Sequence, residues 1–169
     1  MTLITSISGI RGTIGGRSGD ALTPLDVLKF TAAYGTWVKS QSGKDDCTVV
    51  IGRDARLSGE MVSRIVASTL QGMGIDVVDG GLSTTPTIER AVVAEKAHGG
   101  IIITASHNPI QWNALKLLNA RGEFISAAEG EQVLHIAESE DITFADVKKL
   151  GRYTTDDSYL QKHIDAILA

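Results

Sequence analysis

The sequence predicts an α/β domain: a mainly parallel, mixed sheet with helices on both faces. Three observations carry this. Short apolar and β-branched runs stand at Thr48-Val49-Val50-Ile51, Ile75 to Val78 and Ile101-Ile102-Ile103-Thr104. They are too short for helices and lack polar alternation, so they read as strands buried on both faces. Longer segments with helical apolar spacing separate them, and strand, helix, strand, helix, strand is the pattern of right-handed βαβ units. Finally, the chain has 169 residues, 43% of them hydrophobic, which suits one sizeable core and one domain.

Taken in order, Leu3 to Ser8 is a short strand. Gly9-Ile10-Arg11-Gly12-Thr13-Ile14-Gly15-Gly16 reads as a glycine-rich loop able to bring backbone amides close to a ligand. Arg11 would add a planar cationic fork suited to phosphate; the alternative is a flexible connection with an exposed arginine. Thr23-Pro24 opens a helix, with Thr23 as N-cap and Asp26 in the first turn. Leu25, Leu28, Ala32 and Gly35 mark one face, Phe30, Tyr34, Trp37 and Val38 join the core, and Gln41-Ser42-Gly43 ends the helix.

The strand Thr48–Ile51 empties into Gly52-Arg53-Asp54-Ala55-Arg56-Leu57-Ser58-Gly59. Arg53 and Arg56 flanking Asp54 form either an ion-pair cluster that pins the loop or a second anion-handling loop. Ser58 caps a helix carrying Met61, Val62, Ile65, Val66, Thr69 and Leu70, closed by Gly72 and Gly74. After Ile75 to Val78, Thr85 as cap and Pro86 start a helix through about Ala97. Three successive strand ends thus carry Gly-, Ser- and Arg-rich loops, which are expected to converge on one rim.

Ile110 to Leu118, a turn at Asn119-Ala120-Arg121-Gly122, and Glu123-Phe124-Ile125 read as a β-hairpin. Lys116 in that apolar strand is either an inward, desolvated ammonium useful as an acid or base, or an outward lysine on a half-exposed strand. Ser126 and Glu129 form a capping box for a helix to about Ser139. A weak strand or turn follows around Ile142 to Val147. Thr155-Asp156-Asp157 caps a last helix with Tyr159, Leu160, Ile164, Ile167 and Leu168 on its apolar side. That pattern is still running at Ala169, so the natural polypeptide is expected to continue.

The composition excludes several classes. Net charge is −4 and no basic run exceeds Lys148-Lys149, so no nucleic-acid partner is expected. No apolar run approaches a membrane span. Cys47 is the one cysteine, which allows no intramolecular disulfide and fits a reducing cytoplasm; it reads as a small buried hydrophobe. His98, His135 and His163 share no metal-ligand spacing.

The chemistry concentrates in Thr104-Ala105-Ser106-His107-Asn108-Pro109, at the end of a buried strand, where open α/β proteins place their sites. Acyl transfer by Ser106 and His107 would want a Gly-x-Ser-x-Gly elbow, and no glycine lies two residues to either side. Phosphoryl transfer through a phosphoserine fits better. Such a group carries about −1.5 to −2 charges and needs cations such as Arg11, His107, Lys116 and a divalent metal.

This stretch, with Asn113 and Lys116 downstream, resembles the phosphoserine loop of the α-D-phosphohexomutase superfamily. Phosphoglucomutases, phosphomannomutases and phosphoglucosamine mutases belong to it. Gly9-Ile10-Arg11-Gly12, Gly52-Arg53-Asp54-Ala55-Arg56-Leu57-Ser58-Gly59 and Ser83-Thr84-Thr85-Pro86-Thr87 occur in the family's order. Two departures stand out. The family opening Phe-Gly-Thr-Asp-Gly-Ile-Arg-Gly is here Ser6-Ile7-Ser8-Gly9-Ile10-Arg11-Gly12, without the aspartate, and its Asn-Gly is Asn113-Ala114.

The resemblance implies domain I of a four-domain enzyme over 1–150, with 151–169 starting a linker helix toward a second domain. It also implies interconversion of hexose 6- and 1-phosphates through a bisphosphorylated sugar, with glucosamine phosphate the favoured substrate and mannose and glucose phosphates the alternatives. Ser106 would carry a covalent phosphate, through which it would also ligate one Mg²⁺ per full-length protein. Arg11 and Lys116 would stabilise the transferring group and assist proton transfer, with His107 beside the phosphate. The domain alone is expected to be inactive, because the other metal ligands and the sugar- and phosphate-recognition loops belong to further domains. A non-catalytic phosphate-binding module is the competing class.

Overall fold

The computed structural model describes residues 1–6 and 9–169. Its strands are β1 Ile4–Ser6, β2 Gly9–Thr13, β3 Cys47–Arg53, β4 Ile75–Leu82, β5 Gly99–Ile103, β6 Trp112–Leu118 and β7 Tyr153–Thr155. The helices are α1 Pro24–Ser42, α2 Gly59–Gly72, α3 Thr85–Ala94, α4 Ala127–Ser139 and α5 Tyr159–Leu168. The strands form one seven-stranded sheet in the order β1-β2-β6-β5-β3-β4-β7. Around β3 the pairing is parallel, with β4 and β5, and β7 joins β4 in parallel; β6, β2 and β1 pair antiparallel. The sheet is mixed, as expected, with a parallel half and an antiparallel half.

Both faces are covered over the parallel half. Val49, Ile51, Ile101, Ile103, Leu115 and Leu117 pack under α1, α2 and α4 in one core cluster. Val50, Ile102 and Leu118 point the other way, beneath Ile88, Ala91 and Val92 of α3 and Tyr159 of α5. This strict alternation is why the strands read as unbroken apolar runs: each residue faces one core or the other.

Several expectations are corrected. The segment from Gly9 is a strand as far as Thr13, not a loop. Ile10 is buried in the α1-side core, and the glycines serve close approach: a Cβ on Gly9 would lie 2.1 Å from the Leu115 carbonyl oxygen, and one on Gly12 would lie 2.9 Å from the Leu22 nitrogen. Of the strand expected over Leu3 to Ser8, β1 forms Ile4–Ser6, while Ile7 and Ser8 lie outside the described residues.

On α1 the expected face holds in part. Ala32 and Gly35 are buried, as are Phe30, Tyr34, Trp37 and Val38, but Leu25 is 67% and Leu28 44% exposed, and Val27 and Ala33 join the core between the sheet, α2 and α4. The N-cap of α3 is Thr84, whose hydroxyl accepts from Thr87 N–H, so Thr85 is the first helical residue. In the expected hairpin β6 stands, but its return limb is a single bridge between Leu118 and Phe124. Of the strand or turn expected around Ile142 to Val147, no strand forms, and a 3₁₀ turn, Val147–Lys149, begins at its end. The last helix, α5, lies within 151–169, but Thr155 does not cap it: Thr155 belongs to β7, paired with Asp79 of β4, and Ser158 precedes α5.

Candidate active site

The parallel strands bring their C-terminal ends to one rim. Asp54 N–H donates to Ile103 O (3.1 Å) and Ser83 N–H to Arg53 O (2.9 Å), so the loops after β3, β4 and β5 abut. The antiparallel neighbours reach the same rim: Thr104 N–H donates to Ala114 O (3.1 Å), and Ile14 N–H, just past β2, to Gln111 O (2.7 Å). Helices α2 and α3 begin there as well, and their N-terminal dipole ends favour negative charge at the rim.

Ser106 leaves β5 in the left-handed backbone region, at φ +56°, where a non-glycine residue is uncommon. It is exposed, as is His107 beside it. Asn108 N–H closes the turn on Ala105 O (3.1 Å). Among the described residues the Ser106 hydroxyl has no hydrogen-bond partner, although its own N–H donates to Thr104 Oγ1 (3.0 Å). A compact turn therefore carries the serine outward on a buried stem.

Register places the two expected cations. Lys116 stands opposite Ile102 and Arg11 opposite Ala114, so both lie on the α3 side of the sheet, Lys116 on β6 beside the serine loop's stem β5 and Arg11 on β2, one strand further out. Arg11 is exposed and Lys116 half-buried, with its ammonium 5.8 Å from the centre of the Phe124 ring. Of the two readings left open for Lys116, the structure supports the half-exposed one.

Arg53 and Arg56 separate in role. Arg56 pairs with Asp54 (3.2 Å) and reaches across to the serine loop. Its guanidinium donates to the carbonyls of Ser106, Asn108, Pro109 and Trp112, at 2.8 to 3.0 Å. Asp54 also accepts from Thr104 Oγ1 (2.6 Å). Ser58 makes no side-chain cap bond on α2; its hydroxyl accepts from Asn113 Nδ2 (2.9 Å), tying the same loop to β6. No role for the Thr104 hydroxyl was legible in the sequence, and the partners of Arg56 lie about fifty positions away in the chain.

A depression of about 1300 Å³ lies at the opposite rim and is lined by Lys39, Asp46, Asp76, Lys149 and Arg152 among others. It contains no serine-loop residue. Residues 3–143 match the family model described as phosphoglucomutase/phosphomannomutase, alpha/beta/alpha domain I. The chain belongs to the phosphoglucomutase/phosphomannomutase family. A phosphoglucomutase/phosphomannomutase from Thermococcus kodakarensis is 37% identical over 92% of this chain and 34% of its own length. A probable phosphoglucosamine mutase from Methanosphaera stadtmanae is 33% identical over 96% of this chain and 34% of its own. The structure of a phosphoglucomutase/phosphomannomutase family protein from Burkholderia thailandensis superposes with TM-score 0.77, at 26% identity, over 98% of this chain and 36% of that one. The chain thus spans about a third of the length of its relatives and corresponds to the family's domain I.

The remaining histidines of this phosphoglucomutase/phosphomannomutase domain lie elsewhere. His98 Nδ1 accepts from Thr48 N–H at the far end of β3, and His163 bonds Thr87 between α5 and α3. Cys47 is buried, and Trp37 packs in the core with its indole N–H on Gln132.

Proposed function

We propose that this chain is the phosphoserine-bearing domain of a phosphohexomutase, with Ser106 as the phosphoryl carrier. The observation that supports it best is the serine itself: exposed, left-handed, at the rim, on a loop whose stem pairs with the strand bearing Lys116, which in turn pairs with the strand bearing Arg11. A phosphate on Ser106 would pass to a hydroxyl of a hexose monophosphate. The new P–O bond forms to the sugar as the P–O bond to Ser106 Oγ breaks, leaving a bisphosphorylated sugar. Turned over, that sugar returns its other phosphate to Ser106, and the sugar phosphate departs as the isomer.

Positioning and charge neutralisation supply most of the catalysis in such transfers. Arg11, with its planar fork, and Lys116 would hold the transferring oxygens. Lys116 would assist the proton leaving the attacking hydroxyl, a proton being returned to the Ser106 oxygen as its P–O bond breaks. Arg11 stays charged and would only neutralise the phosphoryl oxygens, and His107 would stand beside the phosphate. Among the described residues no group of three or more His, Cys, Asp or Glu side chains could hold a metal ion. Both oxygens of Asp54 are engaged by Arg56 or Thr104. Among the described residues the ligand proposed for Mg²⁺ is thus a Ser106 phosphate oxygen, and the other ligands would come from the rest of the polypeptide.

Glucosamine phosphate is the proposed sugar, in line with the name of the Methanosphaera relative; mannose and glucose phosphates are the alternatives. No helix of the described residues is long and apolar enough to cross a membrane, and we place the protein in the cytoplasm on its one buried cysteine. The test is mass spectrometry of the full-length polypeptide with assays on the three sugar phosphates. Phosphate on Ser106 and loss of turnover in Ser106→Ala are expected. An unmodified Ser106 with full activity in that variant would instead favour another mechanism or a non-catalytic phosphate-binding module.

A further inference from the structure

A guanidinium has five N–H donors: one on Nε and two on each terminal nitrogen. In Arg56 all five are spent. Nε donates to Asp54 Oδ2 (3.2 Å), Nη1 to Pro109 O (2.9 Å) and Trp112 O (3.0 Å), and Nη2 to Ser106 O and Asn108 O (both 2.8 Å). The side chain is 11% exposed. An arginine so committed has no donor left for a phosphate, unlike Arg11, for which no side-chain hydrogen bond occurs among the described residues.

The ion pair also reaches the other side of Ser106. Thr104 Oγ1 donates to Asp54 Oδ2 (2.6 Å) and accepts the Ser106 N–H (3.0 Å). The N–H and the C=O of Ser106 are therefore both held, one through Thr104 and Asp54, the other directly by Arg56. Fixing both peptide groups around one Cα sustains a left-handed conformation that a serine would otherwise leave.

We propose that Arg56 is the positioning residue of the Ser106 loop: it sets the direction of the serine hydroxyl by clamping the main chain of Ser106–Trp112, and it does not bind phosphate. The inference deepens the phosphoserine reading and rests on it for its kinetic consequence. Lysine cannot replace the clamp, because a compact ammonium with three donors cannot span five acceptors in a plane.

The test uses the full-length polypeptide carrying Arg56→Lys. A displaced nucleophile is expected to lower kcat by about 100-fold. KM for the sugar phosphate stays within about threefold, since ground-state binding is untouched. Hydrogen exchange of the Ser106, Asn108 and Trp112 amides, each hydrogen-bonded within the loop, speeds up by at least about tenfold without global unfolding. Asp54→Asn is expected to give the same exchange signature and serves if Arg56→Lys does not fold. Unchanged exchange in a folded variant overturns the clamp, and a raised KM with unchanged kcat overturns it in favour of a phosphate ligand. An unphosphorylated wild type, active as Ser106→Ala, defeats the phosphoserine reading alone, because the exchange measurement still decides what Arg56 holds.

Discussion

Thr104→Val isolates the link between the Asp54 carboxylate and the Ser106 amide. The two side chains share shape and β-branching, so the end of β5 keeps its packing, and Thr104 is 8% exposed, so water cannot freely replace the lost hydroxyl. Two hydrogen bonds disappear. The bond to the carboxylate (2.6 Å) contributes about 1.5–3 kcal/mol and the one from Ser106 N–H (3.0 Å) about 1 kcal/mol. Burying a methyl group in place of the hydroxyl offsets about 0.8 kcal/mol. Release of Ser106 from its left-handed conformation returns about another 1 kcal/mol. The net expectation is a loss of about 1–2 kcal/mol. Urea unfolding of wild type and variant, with the slope against urea held equal, measures it as a lower midpoint. A loss under about 0.5 kcal/mol would show that the hydroxyl is not holding the loop and would sink this account of Ser106.

Two further predictions concern the scaffold. A Cβ on Gly99 would lie 2.1 Å from the Tyr34 hydroxyl, which donates to Leu118 O and Gly100 O, so Gly99→Ala is expected to cost about 1–3 kcal/mol by overpacking. Tyr34→Phe in the same chain should recover part of that loss in a double-mutant cycle of melting temperatures, and strict additivity would disprove the clash. At the start of α1, burial pushes the Asp26 carboxyl up, but hydrogen bonds from the Thr23 hydroxyl, the Gly19 and Thr23 N–H groups and the Ser18 hydroxyl outweigh it and hold Asp26 below the ordinary carboxylate range. Its folded pKa lies below the unfolded 3.8, so its contribution is fully present above about pH 4 and is lost as pH falls through the folded value. Asp26→Asn should cost about 1–2 kcal/mol at neutral pH. In pH-dependent melting the gap to wild type should shrink below pH 4, and a gap that widens there would refute the assignment.

The sequence by itself determined the fold class, the parallel trio β3, β4 and β5, the ends of most helices and the serine loop. These are local properties: an apolar run bounded by glycine and proline, a threonine before a proline, a serine three residues before a glutamate. Each element and its cap are written within a few residues of one another. Tertiary structure alone decided the rest. Glycines at 9 and 12 looked like loop residues until Leu115 and Leu22 were found pressed against them. Three exposed residues, Tyr153–Thr155, became a strand only because β4 offered a free edge. The buried arc of α1 depends on neighbours on three sides, which no single-helix periodicity encodes. Arg56 was visible as a charge beside Asp54, yet its work consists of bonds to carbonyls about fifty residues away. A hydrogen bond to a main-chain oxygen leaves no trace in the identity of the residue that accepts it, so only the folded chain reveals what such an arginine holds.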